Sequence, residues 1–271
     1  MDSRKRVNQD PKKLLTGIEC FALDMDGTVY LEEEWIDGAQ QFLRKIEETG
    51  RRFVFLTNNS SKNAKVYLEK LSRMGFPIRR DQLVTSGHAT IAYLKKHHPG
   101  QRVYLMGNPM LTDEFVEEGI PLDTKNPDML VTAFDTSLTY QKLCEVCDFV
   151  RAGLPFIATH PDFNCPTRTG FIPDIGSFHA LIEASTGRRP DKTIGKPNRE
   201  IVEYTLEITG VAADRTAMIG DRLYTDVAAG VNNGLTGILV LSGETTLDMV
   251  DKSDVQPHLI FDSVKQIMPL L

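Results

Sequence analysis

Short apolar runs that stop abruptly at an acid, a threonine or a glycine constrain this chain more than any other feature. Ile18-Glu19-Cys20-Phe21-Ala22-Leu23 runs into Asp24, Arg52-Phe53-Val54-Phe55-Leu56 into Thr57-Asn58-Asn59, and Thr216-Ala217-Met218-Ile219 into Gly220-Asp221. Near-continuous apolar runs of about four to six residues suit parallel strands buried on both faces. Between them lie stretches with helical spacing. Gly38 to Glu48 carries Phe42, Leu43 and Ile46, Ala64 to Met74 carries Val66, Leu68, Leu71 and Met74, and Asn198 to Thr209 carries Ile201, Val202, Leu206 and Ile208. Gly237 to Leu241 and His258 to Phe261 read as further strands, with a short helix at Thr246 to Val250. Strands alternating with helices predict an α/β chain built on a parallel sheet.

The middle of the chain reads as a separate set of elements. Strands are expected at Arg102–Met106, Met129–Phe134 and Pro155–Ala158, and helices at Ile91–His97, Leu111–Glu118, Thr139–Arg151 and Phe178–Ser185. The expected organisation is a discontinuous core of residues 1–85 and 191–271, split by an inserted α/β domain of residues 86–190. The 271 residues suffice for two modest domains, and 41% apolar with 25% charged residues is the composition of a globular protein. A net charge of −6 with no basic stripe argues against nucleic-acid binding. No apolar stretch reaches the length of a membrane span, and no signal-type run follows the charged N-terminus. Four cysteines make no disulfide scaffold, so a cytoplasmic location is expected.

The chemistry gathers where the strands end. Asp24-Met25-Asp26-Gly27-Thr28 follows the first run, placing Asp24 at a strand's carboxyl end, where open parallel sheets bind ligands. Two acids this close repel unless a cation or a shared proton relieves them, and Mg²⁺ binds through one or two carboxylates plus a substrate phosphate. Thr57-Asn58-Asn59-Ser60 precedes a helix and offers hydroxyl, amide and backbone donors to an anion. Gly195-Lys196-Pro197 precedes another, with a lysine able to reach a phosphate and a proline suited to a first helical turn. Gly220-Asp221-Arg222-Leu223-Tyr224-Thr225-Asp226 supplies two more acids after a strand. Singly these are an acidic turn, an N-cap, a surface lysine and a helix start; together and in order they are far more specific.

In those motifs the sequence resembles the haloacid dehalogenase superfamily of aspartate-nucleophile phosphatases, most closely its NagD-like (4-nitrophenylphosphatase-like) branch. His160-Pro161-Asp162, Pro166-Thr167, Gly170, Pro173-Asp174-Ile175-Gly176 and Ala184-Ser185-Thr186-Gly187 also look familiar from that branch, although a Gly often stands there where this chain has Asp174. The resemblance runs from about Ile18 onward and implies a Rossmann-like core with an inserted α/β cap. It implies Asp24 as nucleophile, Asp26 as general acid and base, and Mg²⁺ held by Asp24, the Asp26 carbonyl and Asp221, with Asp226 behind them. It gives the phosphoryl oxygens to Thr57, Asn58, Asn59 and Lys196. The implied substrate is a small phosphorylated metabolite. A cap loop at His160–Thr167, with Asp162, Asn164 and Cys165, is the candidate for substrate choice, and cap hinges are expected near Ser86 and Pro190.

The same motifs leave alternatives: a phosphotransferase or phosphomutase using the same aspartyl-phosphate, or a binding protein without turnover. A receiver domain is about half this length and has no cap insertion, and a dehalogenase proper needs neither Asp26 nor Mg²⁺. Cys144-Glu145-Val146-Cys147 lies within an expected helix with no second pair, which argues against a zinc or redox site. Glu32–Glu34 and His97-His98 read as solvated surface and Trp35 as packing. Arg4, Lys5 and Arg6 are too few for a nucleic-acid arm.

Overall fold

A computed structural model of the chain describes residues 10–167 and 169–271; Arg4, Lys5 and Arg6 lie outside them. The chain forms two compact units. The first takes the described residues up to Thr57, then Leu68–Val84 and Val202–Leu271. Its sheet has six strands in the order Leu259–Phe261, Thr236–Val240, Thr216–Gly220, Cys20–Leu23, Arg52–Thr57 and Leu83–Thr85. The Cys20–Leu23 strand lies parallel to both neighbours, with Cys20 opposite Thr216 and Arg52, and Leu23 opposite Ile219 and Phe55.

The apolar runs behave as their composition requires. Cys20, Phe21, Ala22, Leu23, Val54, Phe55 and Ile219 are buried completely, which is how a strand covered on both faces gains its stability. Burial pushes the Cys20 thiol up to about 12, so it packs as a small apolar group. Phe42 of the Ala39–Glu48 helix meets Phe21 edge to face at 5.9 Å. Trp35 packs between Tyr30 and Phe76, and its indole N–H donates to the Met74 carbonyl at 2.8 Å.

The second unit, Asn58–Tyr67 with Thr85–Ile201, has its own four-stranded parallel sheet. Its order is Lys192–Thr193, Phe156–Ala158, Met129–Thr132 and Val103–Met106. Tyr104, Leu130, Phe156, Ile175 and Ile182 belong to its core. Cys147 is buried and Cys144 partly so, within the helix Tyr140–Arg151, and no disulfide joins the four cysteines.

These units differ from the expected boundaries. Residues 191–201 fold with the second unit because Lys192 and Thr193 pair with Ile157 and Ala158, which a strand of two half-buried residues does not announce. The chain returns to the first unit inside the helix Arg199–Thr209, not near Pro190. The segment Asn58–Tyr67 also belongs to the second unit: the Ser60 hydroxyl lies 3.0 Å from that of Thr159 and accepts from the Phe134 N–H at 2.9 Å. Pro197 lies ahead of the helix it was expected to open, which begins at Arg199, and the Lys196–Pro197 peptide is cis. Among the described residues no helix is long and apolar enough to cross a membrane.

Candidate active site

Two adjacent strand ends bring the acids of the first unit together. Asp24 follows Leu23 and donates its backbone N–H to the Ile219 carbonyl at 2.9 Å. Asp221 follows Gly220 at the end of the neighbouring strand. Asp226 is returned by a π-helical turn, Leu223–Val227, in which its carboxylate accepts from the Arg222 N–H at 3.1 Å. One carboxylate oxygen from each of Asp24, Asp221 and Asp226 lies within 4.8 Å of the others. Asp226 thus lies beside Asp24 and Asp221, where it can hold a metal ion directly or brace the acids that do. The wide turn explains its place, since regular helical spacing does not predict where a residue five positions on will point.

Asp221 and Asp226 are almost completely buried. Burial, and then the neighbouring Asp226, push the Asp221 carboxyl up to about 6. Crowded carboxylates withdrawn from water are relieved by a hard cation with oxygen ligands.

Asp221 is held from several directions. The Glu244 N–H donates to its carboxylate at 2.7 Å, the Thr28 hydroxyl at 3.4 Å, and the Thr245 N–H to its carbonyl at 3.2 Å. Arg222 pairs with Glu244 at 2.9 Å, and the Ser242 hydroxyl donates to the Gly27 carbonyl at 2.7 Å. Gly27 has φ 87°, and a Cβ there would sit 2.7 Å from an Asp221 carboxylate oxygen. The first acidic motif thus needs Gly27 for both its turn and its close approach. Sequence reasoning missed Thr28 and the loop Ser242–Thr245, although the loop follows the Thr236–Val240 strand and the same strand-end rule points to it. Asp26 is partly buried and lies outside the carboxylate cluster. Thr57 ends the Arg52–Thr57 strand and is buried.

In the second unit Asn58 and Lys196 come together. The Asn58 side-chain oxygen accepts from the Lys196 N–H at 2.7 Å, and its amide donates to the Lys196 carbonyl at 2.9 Å. The same amide donates to Asp162 at 3.0 Å, and the Ser86 hydroxyl donates to the Asn58 carbonyl at 2.5 Å. Lys196 is 2% exposed. Asn59 serves its own turn, its side-chain oxygen accepting from the Ser61 N–H at 2.9 Å and the Ser61 hydroxyl at 2.8 Å.

The expected cap loop His160–Thr167 divides into a largely buried irregular part and an exposed strand. His160 and Asp162 are buried, with His160 Nδ1 3.8 Å from Asp162 and Nε2 3.5 Å from Asp174. Asn164–Thr167 pairs antiparallel with Gly170–Pro173 as a hairpin. Asp162 thus braces Asn58, whereas Asn164 is exposed and Cys165 partly so on the hairpin. Asp174, the departure from the common pattern, caps the helix Ile175–Thr186 by accepting from the Ile175 N–H at 2.6 Å.

Comparison with known proteins gives a consistent picture. The haloacid dehalogenase-like hydrolase family model matches residues 21–121, and a second model for such hydrolases matches residues 193–267. A Staphylococcus aureus protein named acid sugar phosphatase is 34% identical over 249 residues, 92% of this chain and 96% of that protein. The crystal structure of a 4-nitrophenylphosphatase from Thermotoga maritima is 45% identical, covers 94% of this chain and 98% of its own, and superposes with a TM-score of 0.92. NagD from E. coli K-12 is 32% identical over 92% of this chain and 98% of its own, with a TM-score of 0.85.

Proposed function

The chain belongs to the haloacid dehalogenase-like hydrolases, in their NagD-like phosphatase branch, and from that premise we propose that it hydrolyses small phosphomonoesters, sugar phosphates among them, with Mg²⁺ through a phosphoryl-aspartate. The observation that carries the reading is the convergence of Asp24, Asp221 and Asp226 at two strand ends. The donors are all oxygen and the cluster is crowded and mostly buried, which fits a hard divalent cation. Asp24, Asp221 and Asp226 would hold it, with the Asp26 carbonyl completing the set. When bound, Mg²⁺ neutralises charge on the phosphoryl oxygens and on the cluster.

In this reading the Asp24 carboxylate attacks phosphorus and the ester P–O bond breaks. Asp26 gives its proton to the leaving oxygen, which departs as the alcohol. Asp26, now ionised, takes a proton from water, whose oxygen attacks phosphorus and frees both Asp24 and inorganic phosphate. Thr57, Asn58 and Lys196 are the proposed partners of the phosphoryl oxygens. Phosphoryl transfer depends on positioning and charge stabilisation more than on covalent steps, and the two-way hydrogen bonding of Asn58 with Lys196 supports a fixed position for both. Asn164, exposed on its hairpin, is the proposed contributor to substrate choice. The cytoplasm is the proposed compartment, supported by four cysteines without a disulfide.

Phosphate release from 4-nitrophenyl phosphate and a panel of sugar phosphates, with Mg²⁺ and with EDTA, tests the proposal. Turnover that needs Mg²⁺ is expected; equal turnover in EDTA overturns it.

A further inference from the structure

The opposite end of the first unit's sheet carries a cavity of about 470 Å³. Arg52 opens its strand beside Cys20, whereas Thr57 closes the same strand and Asp24 lies beyond Leu23. The cavity therefore sits at the amino end of the Arg52–Thr57 strand, on the side of the parallel sheet away from the acids. Its wall includes Arg51, Arg52 and Arg79 against Glu47 and Asp81, with Phe53 contributing an apolar surface. Three guanidiniums in one hollow run against a chain whose net charge is −6.

Two of the three are engaged. Arg79 donates to Asp81 at 3.0 Å, and Arg52 donates to the Thr209 carbonyl. Arg51 is different. Its Nη1 is buried and has no hydrogen-bond partner, and burial lowers its pKa. A buried guanidinium N–H with nothing to donate to is costly, and a turn of the side chain toward the cavity would bring it to an oxyanion, because the planar fork matches phosphate and carboxylate alike. The volume is that of an ordinary small-molecule site.

We propose that this cavity binds a metabolite-sized anion through a phosphate or carboxylate group, with Arg51 as its principal ligand and Arg52 and Arg79 flanking it. The site is separate from the acidic cluster, so it stands whether or not the phosphatase reading does.

The test follows the Arg51 side-chain N–H signal by ¹⁵N NMR in the full chain without added metal. That signal is assigned by its loss in Arg51→Gln, and pyrophosphate and citrate are titrated separately. At least one probe should shift it saturably, at millimolar concentration or below. A response to pyrophosphate alone identifies a phosphate site, and a response to citrate alone a carboxylate site. By calorimetry Arg51→Gln should weaken binding at the cavity at least about tenfold, with Arg79→Gln as the second variant should the first fail to fold. Hydrolysis of 4-nitrophenyl phosphate, measured without either probe, should stay within about twofold of wild type in both. An Arg51 signal unmoved by both probes overturns the proposal, as does undiminished anion binding in the variants.

Discussion

Replacing Gly27 by alanine asks one methyl group to do two separable things. The residue has φ 87°, where an alanine costs about 1–2 kcal/mol. The new Cβ would lie 2.7 Å from one Asp221 carboxylate oxygen, 2.9 Å from its carbon and 3.1 Å from the other oxygen. Ordinary contact needs roughly 3.5 Å, so Asp221 or the turn must give by about 0.5–1 Å. Asp221 has little freedom to move, with the Glu244 N–H at 2.7 Å, and the Ser242 hydroxyl holds the Gly27 carbonyl. A misplacement of that size within catalytic machinery is worth up to about 10²-fold in rate. Gly234→Ala is the matched control: it has φ 77° with nothing within 4 Å of the added carbon. Both variants should lose a few degrees of Tm, at about 2–4 °C per kcal/mol. Only Gly27→Ala should also need more Mg²⁺ for half-maximal activity and lose about 10–100-fold in kcat/KM. Assays of 4-nitrophenyl phosphate hydrolysis across a Mg²⁺ titration, with thermal melts alongside, separate the two effects. Wild-type kinetics in Gly27→Ala, or an equal kinetic loss in Gly234→Ala, would refute the reasoning.

Three further outcomes are expected. Asp26→Asn should lower kcat by about 10²–10⁴-fold while leaving the Mg²⁺ requirement in place; unimpaired turnover would remove its role as general acid and base. Asp162→Ala removes the acceptor that braces Asn58, so every substrate should slow by a similar factor of about tenfold, whereas Asn164→Ala should change only the ranking of substrates, and the reverse pattern across a phosphomonoester panel would count against both assignments. Burial, and then the neighbouring His160, lower the His179 pKa to about 3; the unfolded chain takes up that proton near pH 6.5 and the folded one does not, so stability falls as pH drops from about 6.5 toward 3 and is unaffected above it. His179→Leu should flatten urea-unfolding stability over that window by no more than one proton's slope, and an identical slope in the variant would show that the site does not titrate this way.

The core of the fold is legible because its strands are buried on both faces and so read as apolar runs. Phe21 to Leu23, Val54 to Leu56 and Ala217 to Ile219 declare themselves, and the acids that follow them mark where chemistry gathers. Elements fixed by pairing are not legible. Asn164–Thr167 and Gly170–Pro173 show solvent on both faces, so no alternation betrays the hairpin. Lys192-Thr193 becomes a strand only because Ile157 and Ala158 await it. Within the site, the place of Asp226 beside Asp24 and Asp221 comes from a π-helical turn, which does not follow the 3.6-residue period. The contact between Asp162 and Asn58 joins positions more than a hundred residues apart, which no local pattern announces. Thr28 and Glu244 touch Asp221 through contacts that only the folded chain brings about.

The central claim is that Asp24 carries the phosphoryl group. Rapid acid quench of the enzyme turning over a ³²P-labelled sugar phosphate or aryl phosphate with Mg²⁺, followed by peptide mapping, tests it most directly. An acid-stable, hydroxylamine-labile label is expected on the peptide containing Asp24, absent in EDTA and absent in Asp24→Asn. Turnover with no label on the protein, or a label that persists in Asp24→Asn, would contradict it.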